Sequence, residues 1–277
     1  MGALGSGPLL HGPLRALYAD LDGTLFGPGG SLFATRNGPS TRGAEAVGRL
    51  HSAGVELVLV SGRTRDQMVE AARILGARSF IAELGAFVVE RGTPDEAIPN
   101  FGEFEGPGSP FTAMARSGAG AFLLERYAGR LELHTPWSSQ AREATMLFRG
   151  LIDEGEATGA LASAGYRWLE VRDNGRISKT FETLEVGEVR AYHLVPKGVS
   201  KASALRLHQE RRGIDREAAA AVGDSTSDLQ MAPQVGAMVL VAADGTPAIE
   251  GGNVFSTPSP SGDGFAEAVD ALLGPAG

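Results

Sequence analysis

The sequence predicts an α/β fold, a helix-covered parallel sheet interrupted by a smaller α+β unit, on three observations. Short buried apolar runs alternate with helical-period segments towards both ends of the chain. The middle, about residues 88–192, reads differently, as a few helices and strands in another order. At 277 residues the chain also exceeds one average domain, so a second unit has room to form.

The elements follow in order. Residues 14–19 (LRALYA) are a short apolar strand running into Asp20, with a Gly/Pro-rich stretch from 27 to 39 behind it. Ser40 or Thr41 caps a helix through about residue 52, whose Ala44, Val47 and Leu50 recur at helical spacing. Residues 55–60 (VELVLV) form the next buried strand, ending at Ser61-Gly62-Arg63. A helix then spans 64–75, and a strand at 79–81 leads into Glu83-Leu84-Gly85-Ala86. In the middle unit, helices are expected at 111–128 and 138–162 and strands at 130–134, 166–172 and 189–195. The alternation resumes with a helix at 201–212, a strand at 218–222, a helix at 227–235, a strand at 237–241 and a last helix at 264–273. No internal repeat is present, and no low-complexity tract beyond a Pro/Ser/Gly loop at 256–264.

Composition narrows the chemistry. The chain has no cysteine, which excludes disulfides, thiolate metal sites and thiol nucleophiles, so any nucleophile is oxygen or nitrogen. A net charge of −8 disfavours nucleic acid or an anionic membrane surface as a partner. Hydrophobic residues at 43% with charged residues at 21% describe an ordinary globular chain. The first 13 residues lack the charged and apolar regions of a secretory signal and are expected to be a flexible tail. No apolar run is long enough to cross a bilayer, so a cytoplasmic protein is expected. Lysine occurs only at 179, 197 and 201.

The most informative stretch is Asp20-Leu21-Asp22-Gly23-Thr24. Two carboxylates one residue apart at a strand end project into the crevice where open α/β sheets bind ligands, and Gly23 lets the chain turn sharply there. This stretch resembles the first motif of the haloacid dehalogenase (HAD) superfamily. Ser61 after the second strand resembles the second motif, and Gly223-Asp224-Ser225-Thr226-Ser227-Asp228 the fourth. For the third motif, Lys201 in Gly198-Val199-Ser200-Lys201 is preferred to Lys197, because the family's lysine opens the helix before the fourth-motif strand. An insert between the second and third motifs is similar to the C2 cap of the Cof-like, type IIB branch.

The resemblance implies a Rossmann-like parallel-sheet core from residues 14–87 and 193–277, an inserted α+β cap over 88–192, and the tail at 1–13. It implies a Mg2+-dependent phosphatase acting on a small phosphorylated metabolite. A phosphate monoester repels anionic nucleophiles, so cations must offset the charges before a carboxylate can attack phosphorus. The family roles place Asp20 as nucleophile and Asp22 as general acid and base, with Lys201 neutralising nucleophile and phosphate. Asp20, the backbone carbonyl of Asp22, and Asp224 would hold the metal, with Asp228 supporting it. Thr24, Ser61, Gly62 and Ser227 would contact phosphate or orient its loop. Phosphomutase, phosphoglycolate phosphatase, glycosyl-phosphoglycerate phosphatase and a non-catalytic binding protein remain open, as does oligomeric state. Two departures from the family pattern, Leu84 and Ser227 where asparagine is common, bear on substrate contacts. Trp137, Tyr166, Arg167, Trp168 and Arg172 could form a substrate lid, but alternation favours sheet packing. His134 and His193 lack a partner at metal-ligand spacing, so packing or surface roles are expected.

Overall fold

The computed structural model describes residues 9–35, 37–92, 94–177, 179–243 and 252–274. Most of the expected tail, residues 1–8, lies outside them. The described strands are β1 (Ala16–Asp20), β2 (Ala34–Thr35), β3 (Gly38–Pro39), β4 (Glu56–Val60), β5 (Ser79–Ala82), β6 (Phe87–Val89), β7 (Ile98–Pro99), β8 (Leu131–Leu133), β9 (Met146–Gly150), β10 (Leu169–Ile177), β11 (Val189–Pro196), β12 (Ala219–Gly223), β13 (Ala237–Leu240) and β14 (Val254–Ser256). The described helices are α1 (Arg42–Ser52), α2 (Arg65–Leu75), α3 (Pro110–Ser117), α4 (Ala119–Arg126), α5 (Glu154–Ser163), α6 (Lys201–Arg212) and α7 (Ser261–Leu273).

The chain divides into two compact units, residues 1–98 with 200–277, and residues 99–199. These breaks fall later in the chain than the 87/88 and 192/193 expected from sequence. Short strands β6 and β7 continue the larger sheet, and β11 runs unbroken to Pro196 in the smaller one.

The first unit is built on a sheet ordered β14-β13-β12-β1-β4-β5-β6-β7. Strands from β14 to β5 pair in parallel, while β6 returns antiparallel to β5. β1 is buried along its whole length, as a central parallel strand covered on both faces must be. Its alternate residues Ala16 and Tyr18 join Val58, Val60, Ala204 and Leu205 in one core, beneath α6. Leu17, Ala19, Leu57 and Leu59, equally buried, point to the opposite face, where α1 packs on β4 and α7, and α2 on β5. The chain leaves β1 for β4 on one side and reaches β12 on the other, so the topological switch point lies at the carboxyl end of β1.

Local signals explain the helix starts. Thr64 and Ser200 cap α2 and α6 through reciprocal capping boxes with Gln67 and Ser203. Gly76 and Gly213 end these helices in the left-handed conformation.

The second unit has an antiparallel sheet ordered β10-β11-β9-β8, with α3, α4 and α5 on one face. Here the structure corrects several expectations. Residues 138–162 do not form one helix: Trp137–Ser139 is a 3-10 turn, Met146–Gly150 is β9, and α5 occupies only Glu154–Ser163. β9 lies inside the sheet, its backbone paired with β11 and β8, and Leu147 and Phe148 are both buried, so the strand shows no simple alternation. Asp153 then accepts from the Glu156 N–H and starts α5. The helix expected over 111–128 is broken by Gly118 at φ 81° into α3 and α4. In the first unit, the segment expected as a helix over 227–235 is a 3-10 element, Asp228–Gln234, with Pro233 inside it.

The aromatic segment at 166–168 precedes β10. Tyr166 packs on Phe122 and donates its hydroxyl to Ser117 O at 3.2 Å, and Trp168 tilts onto Phe104 with centroids 5.3 Å apart. Arg172 pairs with Glu170 at 2.9 Å, while Arg167 is exposed and Trp137 is 47% exposed. His193 is buried in β11, and His134 stands beside Arg149 and Arg142, with burial first and then these cations lowering it to about 4. No described helix is long and apolar enough to cross a membrane.

Gly85 joins the β5–β6 turn to α6. It sits at φ 108°, and a Cβ there would lie 2.1 Å from Ser200 O, just before Lys201. Gly85→Ala is expected to lose about 2 kcal/mol or more, through the strained dihedral and the clash with backbone. A fall in the urea midpoint of unfolding at unchanged slope measures this loss.

Candidate active site

Four segments meet at the carboxyl end of β1. Asp20 is the last residue of β1, Ser61 follows β4, Asp224 follows β12, and Asp228 opens the 3-10 element after it. Lys201 is the first residue of α6. Parallel pairing of β1 with both β4 and β12 brings three of these strand ends to the same edge.

Lys201 is 5% exposed, and its Nζ donates to Asp20 Oδ1 at 2.7 Å and to Asp228 Oδ1 at 2.6 Å. Burial alone would weaken its hold on a proton, but the two carboxylates more than offset this, so the ammonium stays charged. Asp228 Oδ2 accepts from the backbone N–H groups of Asp224 and Ser225, each at 3.1 Å, and from Ser225 Oγ at 2.7 Å. Asp228 therefore shapes the loop that carries Asp224. Gly223 makes this possible, since a Cβ there would come within 2.3 Å of the Asp228 Cβ. Gly23, at φ 95°, gives Asp224 equivalent room: a Cβ there would lie 2.2 Å from Asp224 Oδ2.

Asp20, Asp224 and Asp228 bring one carboxylate oxygen each within 4.8 Å of one another. One ammonium does not neutralise three carboxylates. Burial raises Asp20 well above its ordinary value, the charges of Asp228 and Asp224 add to this, and Lys201 opposes it. Asp224 is pushed up to about 7, by burial first and then by Asp228, with Lys201 and the Thr24 hydroxyl pulling the other way. The donor set is all oxygen, close together and short of positive charge, and this fits a hard divalent cation.

The other sequence-derived residues occupy distinct places. Thr24 is fully buried and donates to Asp224 Oδ1 at 3.4 Å, so its observed contact is with a carboxylate of the cluster. Ser61 is 3% exposed, and its Oγ accepts the Arg63 N–H at 3.2 Å. Gly62 is buried beside it. Ser227 Oγ pairs with Ser225 Oγ at 2.8 Å. Leu84 lies in the left-handed region at φ 59°, the conformation asparagine tolerates better, and its N–H donates to Ser61 O at 3.1 Å. Lys197 belongs to the other unit.

Asp22 stands apart from the three clustered carboxylates. Its side chain, 54% exposed, forms a bidentate pair with Arg63, whose Nε and NH2 donate at 2.8 and 2.6 Å. The Arg63 guanidinium also lies over the Phe26 ring at 5.3 Å. Sequence reading assigned Arg63 no role. Its position two residues after Ser61, in a loop at a strand end, was the available signal.

The sign of the pH dependence follows from these carboxyl groups. Asp224 binds its proton more tightly folded, at about 7, than at the ordinary 3.8. Without a divalent cation, stability should fall as pH rises from about 4 to about 7, because the unfolded chain releases that proton first. A divalent cation competes with the proton, so it should raise the melting temperature more at pH 7.5 than at pH 5.5. Thermal unfolding at both pH values, in chelator and in millimolar Mg2+, measures both effects.

Comparison with known proteins agrees with this arrangement. A family described as haloacid dehalogenase-like hydrolase matches residues 174–269. A phosphoglycolate phosphatase of Methanoculleus marisnigri is 29% identical over 92% of this chain and 95% of its own length. One from Pyrobaculum neutrophilum is 28% identical over 94% of this chain and 96% of its own. Among solved structures, protein 0175 of Thermoplasma acidophilum superposes with a TM-score of 0.63 at 19% identity, covering 95% of this chain and 99% of that one. The sucrose-phosphatase of Synechocystis, solved with sucrose and phosphate, gives 0.61 at 14% identity over 95% and 99%. The chain is thus similar to haloacid dehalogenase-like hydrolases over residues 174–269 and to phosphoglycolate phosphatases over more than nine-tenths of its length, and it shares the fold of the solved structures.

Proposed function

We propose that the chain is a Mg2+-dependent phosphatase that hydrolyses a small phosphorylated metabolite through an aspartyl-phosphate on Asp20, with residues 1–98 and 200–277 as the catalytic core and 99–199 as the cap. The observation that carries this reading is the buried Lys201 ammonium shared by Asp20 and Asp228 beside Asp224. A carboxylate held this way keeps one oxygen on the ammonium and has the other free to attack phosphorus. Bound at Asp20, Asp224 and the Asp22 carbonyl, with Asp228 in support, Mg2+ would supply the positive charge that offsets the phosphoryl group.

Asp20 forms the bond to phosphorus as the bond to the leaving oxygen breaks, and a proton from Asp22 goes to that oxygen. Asp22, now a carboxylate, takes a proton from water, whose oxygen attacks phosphorus and releases Asp20. Both Asp22 oxygens accept from Arg63 in the structure, so Asp22 would leave that pair and take up a proton from solvent before it acts as the acid. Ser61, the backbone N–H of Gly62 and Lys201 bind the phosphoryl oxygens, while Thr24 orients Asp224 and Ser227 orients the fourth-motif loop.

Phosphoglycolate is the first candidate substrate, because relatives aligned over more than nine-tenths of the chain bear that name. Asp20→Asn should lower kcat at least about 1,000-fold, as loss of a covalent nucleophile does. EDTA should abolish turnover in the wild type, and Mg2+ should restore it. Phosphate release across a panel of phosphoglycolate, sugar phosphates and glycosyl-phosphoglycerates reads all three, and activity retained by Asp20→Asn would remove the nucleophile assignment. Phosphate transfer within one sugar phosphate without release would identify a mutase.

A further inference from the structure

A buried polar network lies behind the site, at the far end of α6 from Lys201, and the chemistry above does not use it. Tyr18 and His208 are both fully buried, and the Tyr18 hydroxyl lies 2.9 Å from His208 Nδ1. His208 Nε2 is 3.6 Å from Glu56 Oε1. Glu56 accepts from Ser79 Oγ at 2.6 Å, and from Arg212 Nε and NH2 at 3.2 and 3.1 Å. Burial would raise Glu56, but its contacts with His208, Ser79 and Arg212 bring it down to about 2, so it remains a carboxylate. An Nε2–H facing that carboxylate leaves Nδ1 to accept from the Tyr18 hydroxyl.

The spacing of these residues connects the network to the site. Tyr18 and Asp20 are two residues apart on β1 and share a face. Lys201 and His208 are seven apart on α6, two turns, and share a face too. One strand face therefore meets one helix face at two polar points, Asp20 with Lys201 and Tyr18 with His208, with Ala204 and Leu205 packed between them. Apolar packing is weakly directional, and a short Ala/Leu surface lets a helix slide by tenths of an ångström at little cost. A hydrogen bond at each end does not.

We propose that Tyr18 and His208, backed by Glu56 and Arg212, are positioning residues that hold α6 in register on β1, so that the Lys201 ammonium rests between Asp20 and Asp228. The inference rests on the reading of Asp20 and Lys201 as reacting groups. It accounts for a tyrosine, a histidine and a glutamate where phenylalanine and leucine would pack with no polar groups to satisfy. The three strands joined at this end, β1, β4 and β5, lead at their other ends to Asp20, Ser61 and Glu83.

Tyr18→Phe removes only the hydroxyl, His208→Leu removes both ring nitrogens, and His208→Asn keeps an acceptor near Nδ1. Two measurements test the proposal. The first is kcat and KM for phosphate release at saturating Mg2+. The second is the NMR signal of the Lys201 side chain, readable because lysine occurs only at 179, 197 and 201. Tyr18→Phe and His208→Leu should each lower kcat about tenfold with KM changed less than about twofold, and together they should cost little more than either alone. His208→Asn should recover most of the loss. The Lys201 signal should move in Tyr18→Phe while those of Lys179 and Lys197 stay in place. An unmoved Lys201 signal with wild-type kcat in Tyr18→Phe overturns the proposal, and so does a loss of kcat that only tracks the fraction of unfolded protein. Should the wild type release no phosphate, the functional reading fails, and the Lys201 signal still decides whether the network positions that side chain.

Discussion

One buried ammonium, Lys201, organises the charge at the centre of this protein. It touches two of three carboxylates packed at the sheet edge, and burial first, then the charge of the neighbouring carboxylates, raises Asp20 and Asp224. Removing either partner of such a buried pair leaves a charge that water cannot reach, which is far costlier than losing a surface pair. The site is therefore short of positive charge, an arrangement that suits a hard divalent cation.

Backbone geometry permits this crowding. Carboxylates come this close only where the chain beside them carries no side chain, at Gly23 against Asp224 and at Gly223 against Asp228. The turn at Glu83, Leu84 and Gly85 has positive φ at all three residues, and its middle N–H is bound to Ser61 O. Leu84 in that conformation stores local strain, which the surrounding core holds in place. The three strand ends, the first turn of α6 and this turn thus constrain one another, and Arg63 reaches from the second strand end to Asp22.

The parallel sheet was legible because its strands are buried on both faces and read as continuous apolar runs, such as residues 55–60, between helices with clear caps at Thr64 and Ser200. The same property misled in the second unit. Met146–Gly150 is buried on both faces inside an antiparallel sheet, so its pattern does not separate strand from helix, and it was absorbed into a helix over 138–162. β6, β7 and β14 are two or three residues long, too short for any period to show, and they exist because the edge of a formed sheet offers them partners.

Taken by itself, the sequence determined the inventory of chemistry. Without cysteine it excluded sulfur nucleophiles, with lysine only at 179, 197 and 201 it placed one cation at a helix start, and the resemblance of its motifs marked Asp20, Asp22, Ser61, Asp224 and Asp228 as candidate site residues. The tertiary structure alone decided which of those groups meet. Asp22 turns to Arg63, Thr24 to Asp224, and Asp228 to Lys201 and the loop backbone. It also brought Tyr18 to His208 across 190 residues of chain. Such pairings join residues far apart in the chain and depend on strand register and on where α6 lies against β1, which no local pattern encodes.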